Sequence, residues 1–306
     1  MKNLKLYIAI AYGLVWVAGG ALYLSKSLVA AYPGASTLWM SVCMFFPLIA
    51  TLICQKSNKE PLLRGIGISW KVNRWWFVGW LLVPVIVALT LLFDHYVSGT
   101  HLQDAVGMAI VGTGMGMSPW TITVISFVSA MVAGATINAL FAFGEEVGWR
   151  GYLLKQFEGK QFLTSAIIIG LIWGLWHAPL ILLGHNYPQH PQWGVLFMMV
   201  MSAILSIIIQ YVRIKSGSVI VAAIMHGTLN ALAGTGTLFV DNFNDLINGC
   251  CGVVGMTAMA IVAFCIFLFD RYVTRDRICS SPIALHHETT PPQHTIHPNG
   301  EEKLKK

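Results

Sequence analysis

The chain has 306 residues, 56% of them hydrophobic and only 10% charged, with a mean hydropathy of +0.67 and a formal net charge of +6. A water-soluble domain carries roughly a quarter charged residues, so the composition excludes one and predicts an all-α polytopic membrane protein. The positive charge fits loops beside anionic lipid, and no nucleic-acid partner is needed to explain it.

Apolar runs able to cross a hydrocarbon core of roughly 30 Å, about 20 residues each, fall at 6–25, 37–54, 75–93, 120–144, 162–183, 195–212, 218–240 and 250–269. The first follows Lys2 and Lys5. It is too long for a signal-peptide core and lacks an A-x-A end, so it reads as an anchor. The basic stretch QKSNKEPLLRGIGISWKVNR (55–74) reads as an interfacial loop, and the Gly- and Met-rich stretch 94–119 as a re-entrant piece or a connector. After Asp270 the chain turns polar. This gives a transmembrane domain over 1–270, with a motif-bearing core at 120–240, and a disordered tail over 271–306. His286, His287, His294 and His297 read as part of a plain polar tail rather than as a metal site.

Threading eight spans with the N-terminus inside puts every one of the 19 Lys and Arg residues except Lys26 on the cytoplasmic side. Both termini are then expected on the cytoplasmic side of a bacterial plasma membrane. Six cysteines lie in spans or near the cytoplasm with no CxxC pattern, and read as small apolar side chains.

Ionisable groups at bilayer depth cost about 2.5–3.5 kcal/mol each on insertion scales, so they default to function. In FAFGEEVGWRGYLL (141–154), Glu146 and Arg150 are four apart with the carboxylate first, the favourable order for an ion pair. Glu145 points about 100° away. Glu146 and Arg150 thus read as scaffold and Glu145 as the free acid. In LIWGLWHAPLILL (171–183), His177 has Trp173 one turn earlier, and Pro179 disturbs the helix beside it. In AAIMHGTLNALAG (222–234), His226 and Asn230 share a face. Asn138 reads as a packing amide.

A carboxylate, two imidazoles and an amide are the inventory of a water-activating hydrolase. Glu145 can take a proton from water, His177 can orient that water, and His226 with Asn230 can donate to an oxyanion. No HExxH, GxGD pair or serine nucleophile setting is visible. At 1.5 Å per residue, His226 lies about 12 Å and His177 about 20 Å from the cytoplasmic ends of their spans. Tilt or a shifted fifth span must bring them level.

These motifs resemble the CPBP intramembrane endopeptidases, the CaaX-processing and bacteriocin-processing enzymes formerly called the Abi family. EExxxR is matched by Glu145 to Arg150, FxxxH by Trp173 to His177 with Trp in place of Phe, and HxxxN by His226 to Asn230. The resemblance implies eight transmembrane helices around a cytoplasm-facing intramembrane cavity. It also implies a glutamate mechanism without cofactor, in which Glu145 and His177 activate water and His226 and Asn230 form the oxyanion hole. The substrate would be a membrane-associated peptide or protein, cut near the cytoplasmic face. Three alternatives stand beside it: a zinc enzyme using Glu145, His177 and His226 as ligands, a proton-relaying transporter, and a non-hydrolytic immunity scaffold.

Overall fold

The computed structural model describes residues 3–25, 32, 34–98, 118–234, 239–240 and 242–285. Most of the 94–119 connector, the four tail histidines and Lys26 lie outside them. Among the described residues, six helices are long and apolar enough to cross a membrane: α1 (Leu4–Leu24), α2 (Ala35–Ser57), α3 (Arg74–Ser98), α4 (Thr123–Gln156), α6 (Pro191–Ser216) and α8 (Val253–Tyr272). Two shorter apolar helices, α5 (Phe162–Trp176) and α7 (Val219–Leu232), lie between them in the chain. The protein is an all-α, multi-pass membrane protein.

The outward faces carry large apolar side chains such as Val85, Leu92, Leu140 and Phe264, while Ser202, Ser206 and Gln210 are turned inward. That inverted pattern suits lipid as the outer solvent, where helices associate by close packing rather than by hydrophobic exclusion. The seam between α5 and α6 illustrates it. A Cβ on Gly170 would lie 2.5 Å from the Ala203 Cα, and one on Gly174 would lie 2.5 Å from the Met199 Cα. Only glycine lets these backbones meet. On its other side α5 is tied to α1, with the Trp176 indole donating to the Ala11 carbonyl at 3.0 Å and the Tyr12 hydroxyl to Ile172 at 2.5 Å.

The helix ends depart from the apolar runs in three places. The fifth run continues to 183, but α5 stops at Trp176 and a separate short helix, Ala178–Ile181, follows. Pro179 lacks the N–H needed to continue the ladder. The fourth run ends at 144, yet α4 continues to Gln156, because Glu146 and Arg150 neutralise each other inside the protein. The seventh run is trimmed to Leu232.

Two sets of loops close the ends of the bundle. At one end lie the segments 57–74, 157–161, 213–218 and 273–285. The Val219 amide donates to Gly67 and the Gly159 amide to Ile283, and Lys155 pairs with Glu60. Residues 271–285, assigned from composition to a disordered tail, are packed here. Asp270 accepts from the Cys279 amide at 2.8 Å, and Ile283 is buried. The rest of that tail lies outside the described residues. At the other end, the Tyr187 hydroxyl donates to Cys251, and Asp245 binds the Gln189 amide and His190.

Candidate active site

Close contacts along α4 set the site. A Cβ on Gly148 would lie 2.4 Å from both Pro47 and the Tyr7 hydroxyl, so the helix presses directly on α1 and α2. On another face, a Cβ on Gly227 of α7 would lie 2.4 Å from the Ala139 amide. The helix also widens twice into π geometry, at Gly134–Asn138 and Val147–Leu153. Such bulges recur at functional sites because they re-aim side chains without ending the helix.

The two glutamates divide as their angular separation predicts. Glu146 is fully buried, and its Oε1 accepts from the Arg150 guanidinium at 3.0 Å. The same oxygen also meets Nδ1 of His226 at 2.9 Å. Glu146 is therefore more than a scaffold for arginine, since it also fixes the α7 imidazole. The guanidinium carbon sits 4.4 Å from the centroid of the Trp173 ring, and this cation–π contact lowers the cost of burying Arg150. Glu145 is 2% exposed, and its Oε2 accepts from the Trp173 indole at 2.6 Å and the Trp149 indole at 3.4 Å.

Trp173 links the two imidazoles, whose depths differ when counted along the sequence. Its ring centroid lies 5.9 Å from that of His177 and 5.1 Å from that of His226. His177 closes α5, and its Nδ1 is 2.9 Å from the Trp173 carbonyl. A carbonyl only accepts, so Nδ1 carries the proton and Nε2 keeps its lone pair.

Glu145, His177, His226 and Asn230 all line one cavity of about 310 Å³. Asn230 is exposed, while the other three are buried. Asn138, read from sequence as packing, lines it as well. Its spacing to Phe141 and Glu145 marks one helix face, a signal that points to it in hindsight. The Trp149 indole and His185 are further site neighbours that sequence reasoning passed over.

The cavity runs from Glu145 towards the Asp245 end of the bundle, where His185, Asn186, Cys250 and Cys251 line it. In the other direction the structure is closed by Trp149, Arg150, Tyr152 and Leu153, all at most 1% exposed. The cavity's lining at His185, Asn186, Cys250 and Cys251 thus lies away from the loops joined by the Val219–Gly67 and Lys155–Glu60 contacts. Among the described residues, no group of three or more His, Cys, Asp or Glu side chains is arranged to hold a metal ion.

Fold and site together define a multi-pass membrane protein with an acid–imidazole–amide site sunk among its helices. Residues 127–232 match the family model described as type II CAAX prenyl endopeptidase, Rce1-like, and this segment contains all four residues. The CAAX prenyl protease 2 of Methanococcus maripaludis is 27% identical over 250 residues, covering 74% of this chain and 83% of that relative. These matches support a CPBP-family intramembrane protease, the family to which the three motifs point.

Proposed function

We propose that the protein is a glutamate-type intramembrane endopeptidase that hydrolyses a peptide bond in a membrane-associated protein or peptide. The observation that carries this reading is the shared cavity, onto which a buried carboxylate, two imidazoles and an amide face from three helices. In this reading Glu145 is the general base. Both indole donors fall on Oε2, which leaves Oε1 to meet a water molecule and take its proton. The Nε2 lone pair of His177 accepts a second hydrogen bond from that water and fixes its direction of attack. Geometry of this kind contributes by orienting the nucleophile as well as by moving the proton.

Attack on the scissile carbonyl places negative charge on its oxygen. The Asn230 amide can donate to it directly. With Nδ1 of His226 donating to Glu146, Nε2 can donate to the oxyanion only from a ring that carries both protons. Preorganised donors of this type are worth about 10²–10³ in rate each. The proton held by Glu145 then passes to the departing amine. No cofactor takes part in this scheme, and hydrolysis is expected to survive chelation.

The experiment compares the membrane peptides of cells making the wild-type protein with those making Glu145→Gln at equal abundance. Peptides released only by the wild type support the reading. Indistinguishable peptide sets would remove it, and a transporter or a binding scaffold would then fit better.

A further inference from the structure

We propose that a pocket at the end of the bundle closed by the basic loops, built around the Arg213 guanidinium, binds the oxygens of a phosphate group. It is separate from the Glu145 cavity, which Arg213 does not line, and it stands whether or not that cavity hydrolyses a peptide.

Three observations carry it. The first is a buried charge with nothing to balance it. Arg213 stands in the last turn of α6 and is 4% exposed. Among the described residues its hydrogen bond runs from Nη2 to the Ile66 carbonyl at 3.2 Å, its Nε is buried without a partner, and no ion pair includes it. The acids at this end are engaged elsewhere. Glu60 meets Lys155, Asp276 meets Lys215, Glu158 accepts from the Leu285 amide, and Asp270 accepts from Tyr211 and Cys279. Arg150, equally buried, has Glu146 at 3.0 Å. Buried charges are paired in folded proteins, because an isolated one gives up its hydration for nothing. A water molecule would satisfy Nε without balancing the charge. An anion does both.

The second observation is the space in front of the guanidinium. Arg213 lines a pocket of about 20 Å³ together with Gly65, Gly67, Gly217 and Leu285. One or two oxygen atoms fill such a volume, so the pocket takes the edge of an oxyanion while the rest stays outside. Gly65 and Gly67 have φ of 68° and 79°, backbone that L side chains rarely adopt. A Cβ on Gly67 would overlap Nη2 of Arg213, and one on Gly65 would stand 3.5 Å from the Lys155 Nζ. The bare backbone therefore lets the guanidinium lie against the loop and brings a second cation to the pocket wall. The planar fork of an arginine matches two oxygens of one phosphate.

The third observation is what surrounds the pocket. Trp70 is exposed, the Trp75 ring lies 5.8 Å from the Lys215 Nζ, and the Trp76 indole donates to the Lys71 carbonyl at 3.2 Å. Tryptophans interleaved with basic residues mark the headgroup level of a bilayer. Lipid phosphates lie at that height, and dissolved phosphate reaches it from the water. Occupancy also bears on the rest of the fold. Ile66, which accepts from Arg213, packs on α4, where a Cβ on Gly151 would lie 3.3 Å from it. Filling the pocket holds α6, the loop at 65–67 and α4 together, so binding reads out as stability.

Thermal unfolding of the purified full chain in dodecyl maltoside, a detergent without phosphate or charge, is the test. The probes are dioleoylphosphatidylglycerol and inorganic phosphate, each compared with chloride at matched ionic strength. At least one should raise the wild-type midpoint saturably, by about 3 °C or more. A rise with the lipid alone assigns the pocket to a headgroup, and a rise with inorganic phosphate assigns it to the free ion. Arg213→Gln should lose the rise, and Lys71→Gln, which removes an exposed cation, should keep it. Native mass spectrometry of the wild type gives a reading that does not depend on a variant folding. One phosphate-bearing adduct per chain should persist in salt that screens exposed lysines. No saturable rise with either probe overturns the proposal, as does a rise that Arg213→Gln retains or that Lys71→Gln abolishes. Loss of every adduct in salt overturns it too.

Discussion

Asp270 and Glu145 are both buried carboxylates, and the protein treats them in opposite ways. Asp270, at the basic end of α8, spends its oxygens on cross-links. Oδ1 accepts from the Tyr211 hydroxyl at 3.1 Å and the Thr274 hydroxyl at 2.9 Å, and Oδ2 accepts from the Cys279 amide at 2.8 Å. It holds α6, α8 and the following segment together. Asp94 is similar, bound by the Asn248 amide at 2.9 Å and the Gly249 amide at 3.1 Å. Glu145 has its two donors on one oxygen and a cavity with two imidazoles in front of it. Burial of a charge therefore separates nothing by itself. A carboxylate that joins elements is structural, whereas one that borders a cavity beside other proton-handling groups is placed for chemistry.

Substitutions can break this contrast at either pole. The largest effect is expected at Glu145→Gln, which keeps the shape and removes the base. Cleavage should fall by about 10²–10⁴-fold while the thermal midpoint of the purified protein stays close to that of the wild type. Glu146→Gln comes next, because it strips the partner from a fully buried Arg150. Removing one member of such a pair costs about 3–5 kcal/mol, so a clear drop in thermal midpoint should accompany loss of cleavage. Asp270→Asn should cost about 1–3 kcal/mol, as a buried hydrogen-bond network is left partly unsatisfied, with cleavage per folded molecule unchanged. If Asp270→Asn were instead to abolish cleavage in a stable protein, the contrast would fail.

The smallest effect concerns His185 at the cavity mouth, where burial lowers the imidazole to about 4 from its ordinary 6.5. The unfolded chain takes up this proton at higher pH than the folded one, so stability falls as pH drops through the window from about 6.5 towards 4. Wild type should therefore lose more of its thermal midpoint between about pH 7 and 5 than His185→Gln does. The variant should leave the pH profile of cleavage above about pH 5 unmoved.

Much of this was legible in the chain itself, for reasons lipid imposes. A span must be a continuous apolar run, so the eight helices are visible, and an ionisable residue within a run or embedded in apolar sequence directly after one is conspicuous, so Glu145, Glu146, Arg150, His177 and His226 are too. Asp94, Asp270, Gln210 and Arg213 were not singled out. They sit towards the ends of spans, where sequence alone does not separate a side chain reaching water from one turned inward, as these are. The bond from His226 to Glu146 and the levelling of the two histidines depend on how α4, α5 and α7 cross, and local sequence does not specify that. Nor does it specify where the cavity ends, which follows from the aromatic packing around Trp149.

The central claim is that Glu145 and His177 act on one water molecule. Cleavage rates of a single peptide by the wild type, Glu145→Gln, His177→Ala and the double variant, in one lipid composition, test it most directly. Groups that work as a unit are strongly non-additive, so the double variant should be no slower than the slower single one. Losses that multiply would mean two independent contributions and would contradict the account.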